Sequence, residues 1–331
     1  ILLAITAGVA RPGAQMPSSA IQFETADPAC QQAQLVSTGG QFPADRRTLA
    51  VRWTGYSNFE LAYNGQVVLL DAYFDRGSLY PPLGFTAADV RRADVILLGH
   101  GHYDHMSDAA AVAGRTGAVV VAAPVTVARL EKQALDRKQI RTVTGRGGEV
   151  LSFGGLTIEP ILGRHGEPPA AVSRAFSTAI QSAVASPTPE QRAEQAAISA
   201  RGTSDPRVIT EGTIAFLITL DTGFRILYRD SGGRVTDYEK AVAARTGSVD
   251  VMLAATSASY TTGAIVDQAL EYVRTYHPRA FMPAHHDAAV NNLWRPTEPI
   301  FQAIKDGDAA VVTISKGYRE PTCFRTERTV R

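Results

Sequence analysis

The chain has 331 residues, of which 45% are hydrophobic and 20% charged. That length and apolar content suit a large packed core, and single α/β domains routinely run past about 200 residues. A formal net charge of +1 with no basic stripe leaves no electrostatic case for a nucleic-acid partner.

In chain order, the apolar, small-residue-rich run Ile1–Ala10 precedes Arg11-Pro-Gly-Ala-Gln15. This is the pattern of a secretory signal without its basic start, and it predicts export to the periplasm or medium. Residues 1–22 are then a signal remnant or a disordered terminus, and 23–331 a single domain. A buried N-terminal helix or strand is the alternative. Ten residues are too few to span a bilayer, so no transmembrane anchor is expected. The only cysteines, Cys30 and Cys323, flank the domain; an exported chain could join them, whereas a cytosolic one would keep two free thiols. Cys30 lies far from the apolar run, which argues against a lipid anchor.

Leu49–Thr54, Phe59–Tyr63 and Gln66–Leu70 read as an opening meander, with Asn64-Gly65 as a hairpin turn. Thr86–Ala93 reads as a helix and Asp94–Gly99 as a buried strand. Strand Ala118–Ala122, helix Val125–Leu135 and strands Ile140–Val143, Glu149–Phe153 and Leu156–Ile161 complete a first half. Thr213–Leu220 and Phe224–Tyr228 pair around Thr222-Gly223. Helices Asp237–Arg245 and Ile265–Thr275 alternate with strands Val249–Leu253 and Ala280–Pro283, and helix Pro299–Lys305 and strand Ala309–Ile314 end the pattern. Two sheets with helices outside, an αββα sandwich, is the consistent architecture. Residues 166–212 break it. Their Ala/Ser/Gln-rich stretch, interrupted by Ser186-Pro-Thr-Pro189, predicts one or two short inserted helices, either a lid over the site or a surface excursion.

The densest chemistry is His100-Gly101-His102-Tyr103-Asp104-His105, which holds three of the chain's seven histidines. An extended segment points residues i and i+2 to one side, so His100 and His102 can grip one ion, while Asp104 and His105 reach a second. Imidazole nitrogen and carboxylate oxygen suit Zn(II). A His-rich polar loop is the bland alternative.

This H-x-H-x-D-H motif resembles that of the metallo-β-lactamase superfamily. The downstream positions follow in the family's order. His165 ends Leu156–Arg164; Asp230 ends Phe224–Arg229 and precedes Ser231-Gly232-Gly233; His285 ends Ala280–Ala284 in a Pro-x-His pattern. The resemblance implies two Zn(II) ions per chain, with Mn or Fe as alternatives. His100, His102 and His165 would hold one ion and Asp104, His105 and His285 the other, with Asp230 bridging and Asp104 carrying catalysis. Ions about 3.5–4 Å apart would hold a hydroxide formed from water of pKa near ~7. Asp71, where the family often has Asp-Pro, would orient a ligand imidazole from behind. Tyr56, in Gly55-Tyr56-Ser57, stands where many members carry His, so that residue's role does not transfer. Asp230 could instead cap the helix beginning near Val235. His286 rivals His285, which the pattern favours, leaving His286 to line the pocket; His277 reads as structural. Ser257, Ser259 and Tyr260 form a candidate rim.

The strand patterns around Asp71, Asp230 and His285, with the tail Asn292–Pro299, resemble most the branch of L-ascorbate-6-phosphate lactonases and N-acyl-phosphatidylethanolamine phospholipase D-like enzymes. An exported dinuclear hydrolase acting on a phosphodiester or lactone, with a small-molecule or lipid-like substrate, is the reading this implies. A periplasmic β-lactamase is the competing enzyme, although those enzymes generally lack the bridging carboxylate. A metal-stabilised binding module, its pocket blocked by 166–212, is the non-enzyme alternative. Oligomeric state is not legible.

Overall fold

The computed structural model describes residues 20–80, 82–183, 186–287 and 294–327. The apolar run Ile1–Ala10, and Asn292 and Leu293 of the tail pattern, lie outside the described residues.

Antiparallel strands β1 (Thr48–Trp53), β2 (Phe59–Tyr63) and β3 (Gln66–Leu70) open the chain. The turn between β2 and β3 needs two left-handed residues, which Asn64 (φ 44°) and Gly65 (φ 78°) supply. Next come β4 (Val95–Leu97), α1 (Tyr103–Met106), α2 (Ala109–Thr116), β5 (Val119–Ala122), α3 (Pro124–Lys132) and β6 (Ile140–Thr142). β3 to β6 pair in parallel. A second series runs through β7 (Leu151–Phe153), β8 (Leu156–Leu162), α4 (Ala170–Ala183), α5 (Pro189–Ser199), α6 (Arg207–Thr210), β9 (Ile214–Leu220) and β10 (Arg225–Arg229). It continues with α7 (Asp237–Thr246), β11 (Val251–Ala255), α8 (Thr262–Tyr276), β12 (Ala280–Ala284), α9 (Glu298–Gly307) and β13 (Val312–Thr313). The last strand, β14 (Pro321–Arg325), returns to the first sheet beside β1.

The sheets have strand orders β14-β1-β2-β3-β4-β5-β6 and β13-β12-β11-β10-β9-β8-β7. Alternation within strands builds the layers. Leu49 and Val51 of β1 meet Ile158, Phe216 and Ile218 of the second sheet in a core between the sheets. Ala50 faces outward with Ile96 and Val120 toward α2 and α3. Leu227, Met252 and Phe281 face α7, α8 and α9 on the other side. These four layers are the αββα sandwich the sequence predicts.

Several element readings change. Thr86–Ala93 is not a helix: a capping box between Thr86 and Asp89 closes one 3₁₀ turn, Ala87–Asp89. The backbone N–H groups of Arg91 and Arg92 then donate to Ser37 O instead of continuing it. Ala309–Ile314 shrinks to the two residues of β13, while α2 and β14 are additional elements. The inserted stretch holds three helices, α4, α5 and α6.

The topology places the site. β8 is antiparallel to β9, and β9 to β10, so β8 runs with β10, β11 and β12. The segments leaving β3, β4, β8, β10 and β12 carry Asp71, the His100–His105 motif, His165, Asp230 and His285. Ligands at such carboxyl ends of strands are a general property of α/β sheets.

Candidate metal centre

His100 and His102 leave β4 in an extended segment, and His102 is the N-cap of α1. Nε2 of His100 and Nδ1 of His102 converge to 3.0 Å. His165 completes this group: one ligand atom from each of His100, His102 and His165 lies within 4.8 Å of the others. Asp104, His105 and His285 form a second such group, with His105 Nε2 3.6 Å and His285 Nε2 3.4 Å from Asp104 Oδ2. Asp230 joins His100 and His105 in a third, so it stands between the other two. Its Oδ2 is 2.5 Å from His100 Nδ1 and 3.4 Å from His105 Nδ1. The helix after Asp230 is capped by Thr236, not by Asp230.

Close approach fixes the backbone here. A Cβ on Gly99 would lie 2.0 Å from Asp230 Cγ, so only glycine lets the β4 end meet the β10 end. Asp71 and His285 both adopt φ of 58°, a left-handed conformation that side chains bear where the surroundings over-determine it. Asp71 is fully buried. Its Oδ2 accepts from His105 Nδ1 (2.7 Å), Ser57 Oγ (2.6 Å) and the Tyr228 hydroxyl (2.6 Å), and its Oδ1 accepts from Gly99 N–H (2.9 Å). Occupying Nδ1 of His105 leaves Nε2 directed at Asp104, the orienting arrangement of metal-binding histidines.

Electrostatics favour a cation. Burial, and then the neighbouring His105 and His102, hold His100 well below the usual imidazole range. Burial with His100 and His102 drives His165 down to about 2. These rings are therefore neutral, the form that ligates. Around His105 the sign reverses: burial opposes protonation, but Asp104, Asp71 and Asp230 outweigh it and raise the ring to about 9. Buried carboxylates need positive charge nearby, and a metal ion can supply it. Nδ1 of His165 and of His285 are buried without a hydrogen-bond partner among the described residues. The donor set thus fits divalent metal.

His286 does not line the cavity. It is buried with its ring stacked on Trp53 at 4.6 Å, and burial lowers it to about 4. The left-handed turn at His285 sends the two neighbouring side chains apart. His277 is the left-handed C-cap of α8, a structural position. Tyr56 lies against His285, with ring centroids 4.9 Å apart. Tyr56 N–H donates to both oxygens of buried Asp287 at 3.0 Å, and its carbonyl accepts from His285 N–H at 2.7 Å. Arg76 and Tyr318 also engage Asp287, at 3.4 and 2.6 Å. Sequence reasoning missed Asp287, Arg76, Ser57 and Tyr228; adjacency to the Gly55-Tyr56-Ser57 and His285 patterns was the signal for Ser57 and Asp287.

The groups open into a cavity of about 240 Å³. Tyr56, Tyr103, Ser257, Ser259 and Tyr260 line it, with Phe176 and Ile180 of the inserted α4. The Ser257 and Ser259 hydroxyls are 2.8 Å apart. Behind α4 the insertion is fastened to the motif loop: Thr203 N–H donates to Gly101 O at 2.7 Å, and Arg201 lies 3.1 Å from Asp108.

Comparison with known proteins agrees with this architecture. A metal-dependent hydrolase of the UPF0173 group from Rhizobium etli is 31% identical over 113 residues, 33% of this chain and 44% of that protein. One from Shouchella clausii is 40% identical over 74 residues, 22% of this chain and 31% of that protein. The chain thus aligns with less than half the length of these curated relatives. Among solved structures, Igni18, a metallo hydrolase from Ignicoccus hospitalis, superposes with a TM-score of 0.58 at 15% identity, covering 84% of this chain and 98% of that one. CmlA, a diiron β-hydroxylase from Streptomyces venezuelae, gives 0.53 at 17% identity over 86% of this chain and 55% of that one. At those identities the likeness is one of fold. The family model described as the beta-lactamase superfamily domain matches residues 66–286, more than half of the chain, and the protein belongs to that family.

Proposed function

We propose that this protein is an exported, dinuclear metal-dependent hydrolase that cleaves a phosphodiester or a lactone. The observation that carries this reading is the pair of ligand groups, His100/His102/His165 and Asp104/His105/His285, with Asp230 between them. His100, His102 and His165 would hold one ion, Asp104, His105 and His285 the other, and Asp230 would contact both. Zinc, bound there, supplies a Lewis acid and lowers the pKa of water to about 7.

The chain's own residues do the rest. Asp71 fixes the tautomer and direction of His105 through Nδ1. Tyr56 and Tyr103 give the cavity aromatic walls beside the ligand groups. Ser257, Ser259 and Tyr260 offer hydroxyls at the rim to a phosphoryl or carbonyl oxygen. The strand-end patterns resembling the lactonase and phospholipase D-like branch favour these two substrate classes over a β-lactam. Export is supported by the Ile1–Ala10 pattern and by the Cys30–Cys323 disulfide, a bond typical of oxidising compartments.

Plasma mass spectrometry of the purified protein, with turnover of bis(p-nitrophenyl) phosphate, a simple lactone and a chromogenic cephalosporin, tests the reading. Close to two zinc ions and cleavage of the phosphodiester or lactone are expected. No metal after zinc is added back would sink it, and cephalosporin turnover alone would replace it with a β-lactamase. Osmotic-shock fractionation of the native host tests export; recovery with the cytoplasm would overturn that part.

A further inference from the structure

The inserted helix α4 has an apolar stripe that the catalytic reading leaves unused. Val172, Ala175, Phe176, Ala179 and Ile180 follow helical spacing. Among the described residues, α4 side chains make no hydrogen bond or ion pair to another element, in contrast to the hydrogen-bonded stretch Gln195–Thr203. Phe176 and Ile180 close the outer wall of the metal cavity. Phe176 also lines a second cavity of about 520 Å³ with Val172, Ala175, Ala179 and Trp294. Phe176 thus lines both spaces, and the two adjoin there. The metal cavity is lined by imidazoles and carboxylates, the second mostly by alkyl groups and an indole, with Thr261 and Arg295 also on its wall.

We propose that the groove between α4 and Trp294 is a subsite for an apolar arm of the substrate, an alkyl or acyl chain attached to the polar group held at the metals. The occupant is a chain attached to the reacting group, because the groove and the cavity lie side by side at Phe176. This inference rests on the hydrolase reading for the identity of the polar end, but binding tests it apart from turnover. Phe176 and Ala175 are specificity-determining positions: Phe176 where the two spaces adjoin, Ala175 on the groove wall, where a larger side chain would narrow it.

The test is calorimetric titration of the zinc-loaded protein with methyl-, hexyl- and decylphosphonate, which hydrolysis cannot consume. Each methylene that enters an apolar site is worth about 0.8 kcal/mol, or nearly fourfold in affinity. Decylphosphonate is therefore expected to bind at least 100-fold more tightly than methylphosphonate. Ala175→Trp, on a solvent-facing helix, is expected to reduce that ratio to below tenfold, with Phe176→Ala as a second variant that alters it. A flat series in the unaltered protein overturns the proposal, and self-association in that case would give the groove to a second copy of the chain. A steep series that neither variant changes also overturns it, because the chain would then bind elsewhere. A steep series that Ala175→Trp flattens, in a protein that cleaves no phosphodiester or lactone, would uphold the subsite and sink the hydrolase reading alone.

Discussion

Single residues around the centre divide into those that would touch metal and those that hold them. Asp104→Ala removes an oxygen donor from the second group while leaving the β-sheets intact. On the proposed dinuclear hydrolase reading, it is expected to lower metal content from two ions toward one and kcat/KM on a phosphodiester by at least about 100-fold, with an unchanged circular dichroism spectrum. Asp71→Asn should be milder, at about 10- to 100-fold in metal affinity, because the amide oxygen can still accept from His105 Nδ1. Equal effects from the two substitutions would argue against this division. Gly99→Ala acts by volume: its Cβ would lie 2.0 Å from Asp230 Cγ, so the carboxylate or the strand end must move. A loss of about 2 kcal/mol in urea unfolding is expected, with reduced metal retention. The candidate ligand positions that the fold brings together were legible in the sequence because histidine is scarce and the motif is dense. Ser57, Tyr228 and Asp287 were not, because serine, tyrosine and aspartate are common and these three meet the site only through packing of distant strands.

Elements were legible in proportion to their periodicity. β1 to β3 and β8 to β12 emerged within a residue or two because each alternates or forms a buried run between turn signals. β14 did not, since Pro321-Thr-Cys-Phe-Arg325 is too short to show a period and its partner β1 lies at the other end of the chain. The predicted helix after Thr86 failed for a related reason: propensity favoured it, but Ser37 O captures the N–H groups needed to extend it. The insertion was visible as a break in pattern, though not its attachment, which depends on Asp108. This buried carboxylate accepts from Phe74 and Asp75 N–H at 2.7 and 2.9 Å and lies 3.1 Å from Arg201. Burial outweighs those partners and raises it from 3.8 to about 6. Between those values the unfolded chain ionises while the folded one holds its proton. The stabilisation this group gives is therefore complete below about pH 4 and is lost as pH rises through 6, some 3 kcal/mol in all. Asp108→Asn removes that slope. Urea unfolding at pH 4.5 and 6.5 should show the variant gaining on the parent at the higher pH; parallel profiles would refute the assignment.

At the scale of the whole molecule, the Cys30–Cys323 disulfide joins the two ends of the domain across 293 positions. Cys323 sits in β14, opposite Ala50 of β1, and Cys30 packs against the outer face of the same sheet. The bond therefore clamps the segment before β1 and the final strand onto one sheet edge, where Phe23 also pairs with Phe324. Its effect belongs mostly to the unfolded chain, which cannot expand fully while the ends are tied. Replacing both cysteines with alanine should then do two things in urea unfolding. Stability should fall by about 2–4 kcal/mol, and the slope against denaturant should steepen, because the untied unfolded chain exposes more surface. A fall in stability at constant slope would instead place the effect in the folded state, as lost packing around β14. Metal content should not change in either case, because every candidate ligand leaves β4, β8, β10 or β12, none of which the disulfide joins. Metal lost together with the disulfide would mean that closure of the chain ends holds the strand ends in register, coupling the redox state of the compartment to the centre.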